Sequence, residues 1–287
     1  MQIEFSSEAL GGQSNPLSLF FQKSTLFLKS GKKATRTNFM KLTRLQSWLK
    51  TKGIAARRFS VLTSEEMSKI SSPSDYDIYQ SEFFYAPWKG DQEFVLKYKA
   101  IAPYSLVAPP RCWVLYSAIR QALQVEGELW ECGVYRGGTA LLLRLLRDEL
   151  SQDKLVRLFD SFEGMPKTDD VKDVHKAGDF ADTSLDAVRA LVGTGGVEYH
   201  QGFIPQTFEG LSVDQIAFAH VDLDLHDAIL ESCKFIYPRL CKGGVMVFDD
   251  YGFPSCPGAR IAVDEFFRDK PEFPLVLPTA QAIVHKL

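Results

Sequence analysis

Two pairs of acidic residues, each at the end of a short apolar run, give this sequence its clearest chemical signal. Asp222 and Asp224 follow residues 217–221, and Asp249 and Asp250 follow residues 245–248. Carboxylates that converge repel one another unless a cation joins them, and oxygen ligands are those that Mg²⁺ prefers. The two pairs together therefore predict a magnesium site, although a single Asp-Asp is also typical of a helix N-cap or a turn.

The sequence between the two acidic pairs predicts that they lie close together in the fold. About one helix of sequence separates the two apolar runs, which is the length of a right-handed β-α-β crossover. The two strands of such a unit are parallel, so their carboxyl ends share the edge of the sheet where open α/β sheets bind ligands. The full pattern predicts five strands with intervening helices and a closing antiparallel pair, which is a doubly wound α/β sheet. The strands are predicted at residues 128–132, 156–159, 197–200, 216–221, 245–248, 273–277 and 281–285, and the helices at 113–125, 140–150, 184–191, 228–240 and 258–267.

A glycine-rich turn follows the first predicted strand. Residues 133–139 read Gly-Val-Tyr-Arg-Gly-Gly-Thr and lead into a strong helix, while Glu131 stands just before them. Glycines let backbone N–H groups approach a ligand, and a helix N-terminus favours negative charge. Asp160 ends the second strand, where an acid can accept hydrogen bonds from ribose hydroxyls. The dinucleotide pattern G-x-G-x-x-G is absent, so the turn and the acid predict another nucleoside-containing cofactor.

Composition excludes several classes of protein. The 287 residues are 45% hydrophobic and 24% charged, and the net charge of -3 argues against a general nucleic-acid binder. Five cysteines without a C-x-x-C pattern argue against a disulfide framework or a structural zinc site and favour a reducing cytoplasm. No run of about 18 apolar residues occurs, so no membrane span is predicted.

The N-terminal part differs from the rest in charge. Residues 1–60 contain 11 Lys and Arg but only 2 Asp and Glu, and residues 39–49 have helical apolar spacing. We predict a basic helical extension over residues 1–103 that packs on the domain or on a partner in a homodimer. Docking to an anionic surface is the alternative. Residues 104–287 form the predicted catalytic domain, in which the polar segment 168–182 is a predicted lid.

Five short motifs in this second part resemble a known family. They are residues 131–139, 159–166, 178–183, 221–225 and 249–252. In this order they resemble the macrocin, mycinamicin and novobiocin sugar O-methyltransferases, the TylF/MycF/NovP family. The resemblance covers residues 104–287. It implies a Rossmann-like class I S-adenosylmethionine fold with strand order 3-2-1-4-5-7-6. It also implies Mg²⁺-dependent methylation of a hydroxyl on the sugar of a glycosylated natural product.

The resemblance also implies roles for individual residues. The glycine turn would hold the methionine part of the cofactor, Asp160 the ribose, and Gly202 with Phe203 the adenine. Asp222, Asp249 and Asp250 would bind the metal. The implied cofactor-binding residues are Ser105, Glu131, Gly133, Tyr135, Arg136, Gly137, Gly138, Thr139, Asp160, Ser161, Gly202 and Phe203.

Asp222 and His226 are the predicted catalytic residues. A metal-bound sugar hydroxyl has a lowered pKa, and a nearby carboxylate such as Asp222 could take its proton. His226 stands with Asp227 where the family often has Tyr-Glu, and it could contact the substrate or cap a helix. A Mg²⁺-dependent nucleotide-sugar or phosphate-processing enzyme, a degenerate methyltransferase fold that acts as a binding module, and metal-independent methylation remain open alternatives.

Overall fold

The computed structural model of this chain describes residues 85–151, 153–168 and 172–287. Most of the predicted N-terminal extension, including the helical pattern at residues 39–49, lies outside the described residues. So do residues 169–171 of the predicted lid. Within the described part, no helix has the length and apolar character needed to cross a membrane.

The described residues form one mixed seven-stranded sheet. Its spatial order is β3-β2-β1-β4-β5-β7-β6, as the family resemblance implies. The first five strands are parallel, and β7 is antiparallel to both β5 and β6. The strands are β1 (Glu128–Cys132), β2 (Val156–Asp160), β3 (Val197–Gln201), β4 (Ile216–Val221), β5 (Leu240–Phe248), β6 (Leu275–Val276) and β7 (Ala282–His285).

Helices cover both faces of the sheet. They are α1 (Gln92–Ile101), α2 (Pro109–Ala122), α3 (Gly138–Leu150), α4 (Leu185–Val192), α5 (His226–Ile236) and α6 (Pro257–Phe267). Neighbouring residues of a strand point to opposite faces, so Leu129 packs with α1, α2 and α3 while Trp130 packs with α5 and α6. Every residue of β4 is buried, as expected for a central parallel strand covered on both sides.

The largest differences from the predicted boundaries are in α2, α5 and β5. Helix α2 begins at Pro109 rather than at residue 113, because proline is favoured in the first turn, where its missing N–H costs no hydrogen bond. Helix α5 begins at His226 and ends at Ile236, and a short 3-10 helix, Tyr237–Arg239, follows it. Strand β5 then starts at Leu240 rather than at residue 245. Apolar periodicity alone placed residues 237–240 in the helix.

Candidate active site

A cavity of about 340 Å³ lies beyond the carboxyl ends of β1, β2 and β4. This volume is within the range of small-molecule sites, and the position is where open α/β sheets bind ligands. Residues that the sequence assigned separately to the cofactor and to the metal line this same cavity. They are Ser105, Gly133, Tyr135, Thr139, Asp160, Ser161, Gly202, Phe203, Asp222 and Asp250. The predicted residues that do not line it are Glu131, Arg136, Gly137, Gly138, His226 and Asp249.

Gly133 sets the distance between the glycine turn and the acidic strand end. Its φ is +89°, and a Cβ added there would lie 1.7 Å from the carbonyl oxygen of Asp222. The backbone N–H of Asp222 donates to the carbonyl of Cys132 at 2.8 Å. Only glycine allows the end of β1 to approach the end of β4 this closely. The turn and Asp222 therefore form adjoining walls of the cavity.

Asp160 holds the glycine turn as well as lining the cavity. Its Oδ2 accepts hydrogen bonds from the backbone N–H groups of Val134 at 2.6 Å and Tyr135 at 2.9 Å. Its Oδ1 accepts from the N–H of Phe162 at 2.7 Å. Each carboxylate oxygen can accept more than one hydrogen bond, so these contacts leave acceptor capacity toward the cavity. The structure thus gives Asp160 a positioning role that the sequence did not predict.

The remaining glycine-turn residues connect it to its surroundings. A Cβ on Gly138 would lie 2.5 Å from the Cβ of Ser105, so glycine lets the segment before α2 rest on the start of α3. Arg136 forms an ion pair with Asp182, and the hydroxyl of Tyr135 donates to the same carboxylate at 2.8 Å. Gly137, with φ +86°, is the N-cap of α3. These contacts support the turn from outside the cavity.

Burial and neighbouring negative charge raise the pKa values of Asp222 and Asp250 at the ends of β4 and β5. Burial and the nearby Asp249 raise the pKa of Asp222 to about 8. Burial, followed by Asp222, Asp224 and Asp249, raises the pKa of Asp250 well above its ordinary value. A cation between them would remove this repulsion, so the residues present fit the predicted Mg²⁺.

Asp249 is buried behind this wall and has several partners. Its Oδ1 accepts a hydrogen bond from Nε2 of Gln281 at 2.7 Å, and its Oδ2 lies 2.6 Å from the guanidinium of Arg111. Burial opposes ionisation, but His220, Arg111 and Gln281 together hold the pKa of Asp249 below its ordinary value. Asp222, Asp249 and His220 each offer a ligand atom within 4.8 Å of the others. The structure therefore brings Asp222 and Asp249 together, with His220 as a third neighbour.

His220 is a site residue that the sequence reasoning missed. It lies two residues before Asp222 on β4, so both side chains are on the same side of the strand. Its Nδ1 is 2.8 Å from Oε1 of Glu131, its register partner on β1. Burial disfavours the charged imidazole, but Asp249 and Glu131 outweigh it and raise the pKa of His220 to about 10. Glu131, a predicted cofactor residue, contacts this histidine instead of lining the cavity.

His226 lies outside the cavity wall. Its Nδ1 is 2.7 Å from Oδ1 of Asp227, and its Nε2 is 3.6 Å from Glu265. Its backbone N–H donates to Oδ1 of Asp173 at 3.0 Å, at the first residue of α5. The ring is almost fully buried. These contacts fix the start of α5, and the catalytic role of His226 stays a prediction.

Three further side chains with metal-binding atoms line the cavity, and only Asp224 among them was marked by the sequence pattern. His175 belongs to the predicted lid, Asp224 follows β4, and Cys256 precedes α6. Asp224 has φ +59°, and its N–H donates to Oδ2 of Asp250 at 3.0 Å. The acidic pair motif marked Asp224 in the sequence, whereas His175 and Cys256 carried no signal beyond their residue types.

Comparisons with known proteins show which sequences this chain is similar to. The sequence profile described as Macrocin-O-methyltransferase (TylF) matches residues 100–275. Mycinamicin III 3''-O-methyltransferase of Micromonospora griseorubida is 30% identical over 184 residues, which are 58% of this chain and 71% of that protein. Demethyldecarbamoylnovobiocin O-methyltransferase of Streptomyces niveus is 30% identical over 155 residues. That match covers 50% of this chain and only 58% of the relative.

Solved structures show the same fold at lower identity. The O-methyltransferase NovP superposes with a TM-score of 0.59 and 24% identity, covering 64% of this chain and 82% of its own. A calicheamicin methyltransferase superposes with a TM-score of 0.53 and 21% identity, covering 74% and 99% of the two chains. The seven-stranded sheet is therefore the Rossmann-like sheet of class I methyltransferases.

Proposed function

Because this chain belongs to the macrocin-O-methyltransferase (TylF) family, we propose that it methylates a sugar hydroxyl of a glycosylated natural product. In this proposal S-adenosylmethionine is the methyl donor and Mg²⁺ is required. The observation that carries it is the shared cavity, in which Gly133 and Asp160 face the same space as Asp222 and Asp250. Relatives named for mycinamicin and novobiocin methylation support a sugar-bearing acceptor.

The glycine-turn side of the cavity is the proposed cofactor site. The turn of residues 133–139 would bind the methionine part, with Ser105 beside it. Asp160 and Ser161 would bind the ribose, and Gly202 and Phe203 would border the adenine. In support, Asp160 already fixes the turn through the N–H groups of Val134 and Tyr135. Asp160 would then hold the glycine turn and the cofactor in a fixed position relative to each other.

The acidic side of the cavity is the proposed metal and acceptor site. Asp222, Asp249 and Asp250 would hold Mg²⁺, whose chemical contribution is to lower the pKa of the acceptor hydroxyl. Asp222 would also accept the hydroxyl proton, because this residue lines the cavity. Methyl transfer is an in-line displacement, so the adjoining turn and acids would contribute chiefly by orienting the two reactants.

Calorimetric titration of S-adenosylhomocysteine, followed by a methyl-transfer assay with glycosylated acceptors, tests this proposal. We expect binding of the cofactor product without metal, and transfer only when Mg²⁺ is added. Asp222→Asn should keep cofactor binding and lose transfer. Asp269→Asn changes an exposed carboxylate on the segment after α6 and is the matched control. Absence of cofactor binding would remove the proposal and favour nucleotide-sugar or phosphate processing on the same acids.

Three other predictions of the sequence accompany this proposal. Residues 1–103 are proposed as an extension that contributes to the substrate cleft. The protein is proposed to form a homodimer or a higher homo-oligomer and to work in the cytoplasm. Light scattering on the full chain tests the oligomeric state, since a monomer at working concentrations would contradict the dimer.

A further inference from the structure

A histidine, a carboxylate and a thiol meet at the edge of the cavity beside the proposed magnesium ligands. Sγ of Cys256 lies 2.9 Å from Oδ1 of Asp224 and 3.7 Å from Nε2 of His175. Nε2 of His175 is also 3.7 Å from Oδ1 of Asp224. We propose that these three atoms form a second metal site, which binds a borderline-soft divalent ion such as Zn²⁺.

The spacing of the three atoms suits a tetrahedral zinc ion. Bonds of about 2.3 Å to sulfur and about 2.0 Å to nitrogen and oxygen place tetrahedral ligand atoms roughly 3.3–3.6 Å apart. The two distances from His175 are close to this range. The shorter separation between Cys256 and Asp224 is that of a thiol hydrogen bond. When the metal binds, the thiol proton leaves to solvent and a metal–thiolate bond replaces the S–H bond.

The donor set separates this site from the neighbouring one. Imidazole and thiolate are ligands of zinc and related transition metals, whereas Mg²⁺ takes oxygen ligands. Asp222 and Asp250 supply only carboxylates on the cavity wall. The two sites would therefore bind different ions, although Asp224 and Asp250 are joined by a backbone hydrogen bond of 3.0 Å.

His175 already has the partner that zinc-binding histidines use. Its Nδ1 lies 3.3 Å from Oδ2 of Asp179, which leaves Nε2 directed toward Cys256 and Asp224. A carboxylate on the far nitrogen fixes the tautomer and orientation of a ligating imidazole. The backbone N–H of Lys176 donates to the same Asp179 oxygen at 3.0 Å, so the carboxylate is itself held in place.

The three ligands come from three separate connections of the sheet. His175 lies between β2 and α4, Asp224 between β4 and α5, and Cys256 between β5 and α6. An ion bound to all three would cross-link these connections at the cavity. Three protein ligands leave a fourth tetrahedral position for water or a substrate oxygen. Zinc at this position would hold His175 and its neighbours, residues 172–182, beside the cavity.

Titration with Co²⁺, a coloured substitute for zinc, tests the site in the full chain under excess Mg²⁺. We expect one equivalent to produce a cobalt–thiolate charge-transfer band that Zn²⁺ removes. Cys256→Ser should abolish the band and His175→Gln should weaken binding strongly. Asp179→Ala should weaken binding by about 10-fold or more, the usual effect of removing a partner of a metal-binding histidine.

Controls make each outcome decisive. Cys241→Ser replaces the most exposed of the other four cysteines, and it should leave the cobalt spectrum unchanged. Circular dichroism of every variant confirms that the fold is retained. A wild-type protein without the band, a band that persists in Cys256→Ser, or unchanged affinity in His175→Gln would each overturn the proposal.

Discussion

Nδ1 of His220 lies 2.8 Å from Oε1 of Glu131, and both side chains are almost completely buried between neighbouring strands. Nε2 of the same histidine is 3.6 Å from Asp249. A protonated imidazole thus connects two buried carboxylates directly beneath the acidic wall of the cavity. Because of this arrangement, the stability of the protein should depend on the protonation of His220.

The stability of the metal-free protein should fall at alkaline pH because of His220. Its pKa is about 10 in the folded protein against 6.5 ordinarily. Its contribution is therefore fully present below pH 6.5 and is lost as the pH rises through about 10. Melting temperatures over this range should decline more steeply for the wild type than for His220→Gln. The exposed His285→Gln should behave as the wild type, and equal slopes in all three proteins would contradict the assignment.

Mg²⁺ should stabilise the protein more strongly at pH 8 than at pH 6. The pKa of Asp222 is raised from 3.8 to about 8 in the folded protein. Without metal, the stability that the protonated side chain contributes is therefore lost as the pH rises from 3.8 to about 8. A cation that binds the ionised carboxylate reverses this loss. The Mg²⁺-induced shift in melting temperature measures the effect, and Asp222→Asn should reduce it sharply. A shift independent of pH, or one retained in Asp222→Asn, would count against the site.

Asp160→Ala should weaken both the fold and cofactor binding. The substitution leaves the N–H groups of Val134, Tyr135 and Phe162 without their acceptor. A hydrogen bond to a charged group contributes about 1.5–3 kcal/mol, and these N–H groups are partly buried, so chemical denaturation should show a loss of about that size. Asp160→Asn keeps one acceptor oxygen and should lose less. If Asp160→Ala bound S-adenosylhomocysteine as the wild type does, its proposed cofactor role would be wrong.

Gly133→Ala should prevent correct assembly of the site. The new Cβ would lie 1.7 Å from the carbonyl oxygen of Asp222. The φ of +89° at residue 133 is also unfavourable for alanine. We expect little folded protein, or folded protein with no measurable cofactor affinity. Gly195→Ala is the matched control, because a Cβ there meets nothing within 4 Å. Comparable cofactor affinity in the two variants would contradict the close approach of β1 and β4.

The sequence predicted most accurately the strands that have clear turn or boundary residues at their ends. Strands β1 and β4 begin and end where predicted, because glycines flank β1 on both sides and Asp222 follows the apolar run of β4. The convergence of Asp222 and Asp249 follows from the crossover rule for adjacent parallel strands. The order of the outer strands came from the family resemblance, since apolar alternation does not encode which strands are neighbours.

The contacts behind the site could not be predicted in the same way. The pairing of His220 with Glu131 depends on the register of β1 against β4, and Arg111 reaches Asp249 from α2, far away in the sequence. Both require tertiary geometry that no local pattern contains. His226 is the opposite case, because its residue type suggested chemistry, whereas its ring contacts Asp227 and Glu265 and does not line the cavity. Its catalytic role stays a prediction.

The most direct test is mass-spectrometric detection of methyl transfer from labelled S-adenosylmethionine to sugar-bearing acceptors, with Mg²⁺ and with a chelator. We expect the sugar of at least one acceptor to gain the labelled methyl group only in the presence of Mg²⁺. Asp222→Asn should transfer none, whereas Asp269→Asn should transfer normally. Transfer at full rate in the chelator, or full activity in Asp222→Asn, would contradict Mg²⁺-dependent methylation at this site.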